Sequence, residues 1–177
     1  MFWISLRREH RRWTRQTERA QQWLTADASL LVETAPRVSD WSPAQHLHHV
    51  ADINRRILDQ LMIVGDGPSS DATGRPNIAG YLVLLMGRLP RGRGQSPEVF
   101  RPPETVDLGK LEHRVIANRE QLNRLTDHLD RLRQSDSRFP HPVLGDFDTS
   151  EWLRFARIHT GHHHRIIRDI IDMMREG

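Results

Sequence analysis

Histidine is the residue type in this chain whose number and spacing could do chemistry. There are 11 histidines among 177 residues. Most fall in two tight groups, His46, His48 and His49, and His159, His162, His163 and His164. Imidazole is the commonest protein metal ligand and the side chain that titrates nearest neutrality. Cysteine is absent. That excludes a disulfide framework, a cysteine-type zinc finger, an iron–sulfur site and a protein thiol nucleophile.

The second group carries the sharper signal. On a helix turning ~100° per residue, with Trp152 as origin, His159 falls near ~340° and His163 near ~20°. Both sit inside the stripe formed by Trp152, Phe155, Ala156, Ile166 and Ile170. His162 lies at the edge of that stripe, and His164 points away, as expected of a solvated position. Residues four apart stand one above the other on a helix face, close enough to share one ion. Two imidazoles buried among Trp, Phe and Ile cost free energy unless each finds a partner. A cation satisfies both at once, whereas two hydrogen-bonded core histidines are the plainer reading. A catalytic zinc usually takes three protein ligands and keeps an open position, so the first group must supply a third. There the wheel is equivocal: the apolar stripe lies closest to His46, His49 lies towards the far side, and His48 lies between.

Four long helical patterns have to position these residues. The first runs from about Ser5 to Glu33, with Trp13, Ala20, Leu24 and Leu31 on one face. The second starts at Ser42-Pro43-Ala44-Gln45, a capping box with proline in the first turn. It continues through Leu47, Val50, Ala51, Ile57, Leu58 and Leu61 to Gly65, Gly67 and Pro68. The third spans about Asp107 to Arg133, on a seam from Leu108 through Leu111, Val115, Asn118, Leu122, Leu125 and Leu129 to Leu132 that alternates steps of three and four. The fourth begins at Asp148, with Glu151 completing a second capping pair. Between the second and third lies a Gly-, Pro-, Ser- and Arg-rich stretch, about 65 to 105, interrupted by one short apolar piece, Ile78 to Met86. Connections this long are usually functional or mobile. Pro140 and Pro142 close the turn before the last helix. No β-type alternation competes, and no internal repeat is visible. The fold expected is all-α: a four-helix bundle with one long crossover connection. A dimeric coiled coil built on the third helix is the alternative.

The residues resemble a known family at this point. Trp41-Ser42-Pro43-Ala44-Gln45-His46-Leu47-His48-His49-Val50-Ala51-Asp52 is similar to the second-helix signature of the DinB-like (YfiT-like) metalloenzymes, in which a metal-binding histidine stands just before a Leu/Val-Ala pair. Glu151-Trp152 followed by His159-Thr160-Gly161-His162-His163 resembles the family's His-x-x-x-His element. His141-Pro142-Val143-Leu144-Gly145 looks like the loop preceding that helix in one branch. The resemblance implies a single DinB-like bundle over residues 1–177, a divalent metal (zinc or nickel) held by His49, His159 and His163, and frequently a homodimer. His49 enters through the resemblance and not through the wheel, and His46, His48 and His162 crowd the same positions. Ile166 stands where the family commonly has Gln.

The implied activity is metal-dependent, a thiol S-transferase or a hydrolase acting on a small molecule. Since the chain has no cysteine, any thiol comes from a low-molecular-weight cosubstrate. Asp52, one turn from His49, is a candidate partner for that ring, against the plainer reading of a solvated residue. Arg88, Arg91 and Arg93 are candidates to hold an anionic substrate, against a solvated loop. A reading from another class is a non-catalytic, metal-stabilised bundle acting in interaction or stress response. A third is nucleic-acid binding through Arg7, Arg8, Arg11 and Arg12. The net charge is only +3, and the sequence pI of 10.4 reflects one Lys and one Tyr rather than a concentrated basic face. The cluster alternates with acids and lacks base-stacking aromatics, so it reads as a solvated helix face. Ile78 to Met86 is the longest apolar run, far short of the ~20 residues a membrane span needs. The N-terminus reaches Arg7 and Arg8 too soon for a secretory signal. No membrane association is expected, and cytoplasm is the default compartment.

Overall fold

The computed structural model describes residues 4–25, 28–67, 74–92 and 97–176. It is an α-helical bundle with one small hairpin. The helices are α1 (Leu6–Leu24), α2 (Ala28–Val32), α3 (Pro43–Asp66), α4 (Ile78–Met86), α5 (Leu108–Arg124), α6 (Leu129–Gln134) and α7 (Thr149–Glu176). The hairpin pairs β1 (Arg138–His141) with β2 (Gly145–Asp148), antiparallel, with Phe139 opposite Phe147. The four long helices close a ring of contacts: α1 and α3 each pack on both α5 and α7. The third-helix seam is therefore spent inside the chain. Leu111, Val115, Asn118, Leu122, Leu125, Leu129 and Leu132 are all buried. Among the described residues no helix is long and apolar enough to cross a membrane.

Two helices expected to run unbroken do not. The first pattern divides into α1 and α2, and residues 26 and 27 lie outside the described residues. At the break the Thr25 hydroxyl donates to the Gln22 carbonyl at 2.7 Å, the local hydroxyl–backbone competition that ends helices. The third tightens into a 3-10 turn, Leu125–His128, before resuming as α6. The hairpin was not expected, because four-residue strands carry no alternation long enough to read. Pro140 lies within β1 rather than in a turn.

Both predicted helix starts are present. The Ser42 hydroxyl accepts from the Gln45 amide, and the Gln45 side chain accepts from the Ser42 amide. Asp148 accepts from the Glu151 amide at 2.8 Å, while Glu151 accepts from the Asp148 amide at 2.9 Å. These two capping boxes fix where α3 and α7 begin, and so where their histidines fall. A buried ion group adjusts α7 against α1: Glu9, with no exposed surface, accepts from Arg154 at 3.0 Å and from Arg157. The basic cluster near the N-terminus stays on the exposed face of α1, where Arg7 pairs with Asp130 at 2.9 Å.

The hairpin tip is stitched to the start of α4. The Asn77 amide donates to the Leu144 carbonyl at 2.9 Å, and the Asp146 amide to the Arg75 carbonyl at 3.1 Å. Gly145, at φ 85°, is the residue that permits this approach: a Cβ there would stand 2.5 Å from the Arg75 carbonyl oxygen.

Candidate metal centre

The first two turns of α3 and the middle of α7 face each other across the bundle. His49, His159 and His163 converge there, all buried, each offering a ring nitrogen within 4.8 Å of the others'. The Nε2 atoms of His49 and His159 are 3.1 Å apart. Two nitrogens each ~2.0–2.1 Å from a tetrahedral zinc would stand ~3.3 Å apart, so the spacing fits a shared cation.

The orientations of the His49 and His163 rings have physical causes. The Nδ1 of His49 lies 2.8 Å from the Phe100 carbonyl. A carbonyl only accepts, so Nδ1 carries the hydrogen and Nε2 is left as a lone pair facing the cluster. The Nδ1 of His163 lies 2.9 Å from the Nδ1 of His46, whose Nε2 is in turn 2.9 Å from the Ser39 hydroxyl. This chain engages one nitrogen of His163 and leaves its Nε2 for the cluster. Trp41 walls the group, its ring centroid 5.3 Å from both His46 and His49.

Burial holds the cluster neutral. Desolvation is the largest cause pulling the His159 and His163 pKa values well below the usual imidazole value, with neighbouring imidazoles adding to it. The same burial lowers His49, against the opposing pull of the Phe100 carbonyl. His46 is brought to about 3 by burial and then by His49 and His162. Neutral rings are the form that donates a lone pair to a metal. A three-histidine group of this kind could hold a divalent ion.

The cluster opens onto a cavity of about 1150 Å³. Much of its lining is aromatic and aliphatic, with Phe139, Trp152, Phe155, Val83 and Leu144. Arg56, Arg91 and Arg101 lie towards the connection, and Asp40 is the only carboxylate residue lining it among the described residues.

The remaining sequence candidates fall into place around this group. His48 stands outside it, with Nε2 3.2 Å from the Arg114 guanidinium. His162 lines the cavity and meets His163 edge-on, ring centroids 5.1 Å apart. His164 is not solvated. It is buried edge-on against Trp23, centroids 4.5 Å apart, because α1 covers the side of α7 that the wheel assigned to water. Asp52 does not touch His49; it pairs with Arg56 at 3.0 Å and Arg114 at 3.6 Å. Arg91 reaches the cavity and pairs with Asp169 at 2.7 Å. Arg88 is exposed, and Arg93 lies outside the described residues.

Sequence reasoning missed Phe100, His46 and Ser39 as partners of the cluster. No signal could have found Phe100, since it acts through its main chain. His46 had one: it lay nearest the apolar stripe of its helix.

The DinB superfamily model matches residues 10–167, and the chain belongs to that superfamily. Neither a curated protein nor a solved structure matches it.

Proposed function

We propose that this DinB-superfamily chain is a divalent-metal-dependent enzyme acting on a small, largely apolar molecule, with His49, His159 and His163 as the metal ligands. The observation that carries the reading is that the three imidazoles stand in the wall of an open cavity of about 1150 Å³. A structural metal site is closed by its protein ligands, whereas a catalytic one keeps a position facing the substrate.

Three neutral ligands leave a bound cation its full 2+ charge, which supplies Lewis acidity towards a substrate oxygen and lowers the pKa of a bound water or thiol. The chain's own residues do the rest. The Phe100 carbonyl and the His46–Ser39 pair hold the rings of His49 and His163 in place, as outer partners of ligating histidines do. The aromatic wall excludes water from the apolar body of the substrate. Arg56, paired with Asp52, Arg91, paired with Asp169, and Arg101 line the cavity and offer guanidinium hydrogen-bond donors to an anionic group. Thiol transfer and hydrolysis are the two reactions that suit this set. For the first, the thiol is a low-molecular-weight cosubstrate.

The test is metal analysis of protein purified without an immobilised-metal column, followed by screens for thiol transfer and for ester and amide hydrolysis. About one zinc or nickel ion per chain is expected. His159→Ala should lose the ion and the activity while keeping its helical signal. A chain that takes up no divalent ion overturns the proposal. A His159→Ala variant that unfolds identifies the metal as structural and favours the non-catalytic reading.

A further inference from the structure

His141 closes β1 in the lining of the cavity, and the metal reading gives it no role. Its Nδ1 accepts from the amides of Val143 and Leu144, each at 3.2 Å. Backbone amides only donate, so Nδ1 is bare, and the neutral ring carries its one hydrogen on Nε2. The ring is packed among three others: Phe155 at 4.6 Å, Phe147 at 5.5 Å and Trp152 at 5.6 Å between centroids. That shell disfavours an imidazolium, and burial brings the His141 pKa to about 4. The turn and the aromatic box thus fix the tautomer, the orientation and the charge. Among the described residues Nε2 has no hydrogen-bond partner, and it is not one of the sealed, unsatisfied atoms of the interior. The residue lines the cavity it shares with the histidine cluster. Phe155 stands between them, its ring 5.7 Å from that of His159.

We propose that the Nε2–H of His141 is a pre-set hydrogen-bond donor for the ligand of this cavity, an apolar compound bearing a carbonyl or carboxylate oxygen. A donor fixed in an apolar wall discriminates between ligands once a bound ligand covers it. A ligand that supplies the oxygen satisfies it, and one that lacks the oxygen leaves it buried without a partner. The Nδ1 turn also explains the local sequence. Gly145, paired with His141 across the hairpin, takes the positive φ that its close approach to Arg75 needs, and Pro142 lies within the turn whose amides the ring accepts. His141 acts here as a specificity-determining residue and not as a base, because its free nitrogen already carries a hydrogen.

The inference concerns a residue outside the cluster and does not depend on the cation. Its probe is 4-phenylbutyrate, which joins an apolar body to a carboxylate. Long-range proton–nitrogen spectra of the full-length wild-type protein should show His141 as the Nε2–H tautomer from pH 5.5 to 8. Its Nε2 hydrogen should move downfield as 4-phenylbutyrate is added. His141→Phe removes the donor, and His141→Asn removes its reach while keeping an acceptor for the two turn amides. Each should weaken 4-phenylbutyrate binding about tenfold, as expected for one hydrogen bond to a charged acceptor. An Nδ1–H tautomer, no binding of the probe, or unchanged affinity in folded variants would each overturn the proposal. Metal content measured on the same samples separates the two readings. A metal-free chain whose probe binding still depends on His141 sinks the metalloenzyme reading and keeps this one. A metal-loaded chain whose binding ignores His141 does the reverse.

Discussion

Replacing His46 by phenylalanine tests whether the cluster is built as described. His46 is buried, 3% exposed, and phenylalanine fills much of its space while removing both nitrogens. With Nε2 given to a metal, His163 carries its hydrogen on Nδ1; that donor then loses the His46 nitrogen 2.9 Å away, and the ring is no longer held by the Ser39 end of the chain. An orphaned buried donor costs about 1–3 kcal/mol, and loss of an outer partner of a metal ligand weakens metal binding about 10–100-fold. The two figures agree, since a tenfold change is about 1.4 kcal/mol. Zinc affinity measured by competition with a chromophoric chelator should therefore fall 10–100-fold in His46→Phe. In Ser39→Ala it should fall less, because the serine touches only the far nitrogen. In His163→Ala it should fall far more, because a ligand is gone. Unchanged affinity in His46→Phe would refute the orienting role. A loss as large as that of His163→Ala would show that His46 is itself a ligand, and the assignment of the three would have to be redrawn.

Two further outcomes follow from the framework around the site. Glu9→Gln leaves Arg154 and Arg157, 18% and 15% exposed, without a counter-charge. Urea unfolding of the metal-free protein should show a loss of about 2–3 kcal/mol, less than a fully buried pair because water reaches both guanidinium groups; a change near zero would remove Glu9 from the account of how α7 is held. His164, with its pKa brought to about 3 first by burial and then by Arg19 and Arg165, is neutral when folded and takes up a proton below about 6.5 when unfolded. The unfolded state binds more protons in that window, so stability is full above it and falls as pH drops towards about 3. Between pH 7.5 and 5.0 the metal-free wild type should lose about 2 kcal/mol more than His164→Phe, compared by urea unfolding at each pH; equal losses would refute it.

The legible parts of this chain were those written in local patterns. Ser42 with Gln45, and Asp148 with Glu151, announce two helix starts. The spacing of His159 and His163 places both rings on the buried face of α7. The leucine seam of the third helix names its core positions even where the helix tightens at Leu125. What could not be read depends on distant segments. His49 lies off the apolar stripe of its own helix and is drawn into the cluster because α7 arrives on that side. His164 is buried because α1 covers it. The carbonyl that orients His49 has no sequence signature. The role argued for His141 rests on a four-residue strand too short to register as one.

The partner of His49 is a main-chain oxygen, so whatever side chain occupies position 100 can serve, provided the short 3-10 turn Glu98–Phe100 that carries it survives. The connection carrying it also supplies Leu89, Pro90, Arg91 and Arg101 to the cavity wall. Those side chains can drift over evolutionary time while the imidazole keeps its aim. An architecture of this kind uncouples what is bound from how the ion is gripped, and lets selection retune the first without rebuilding the second.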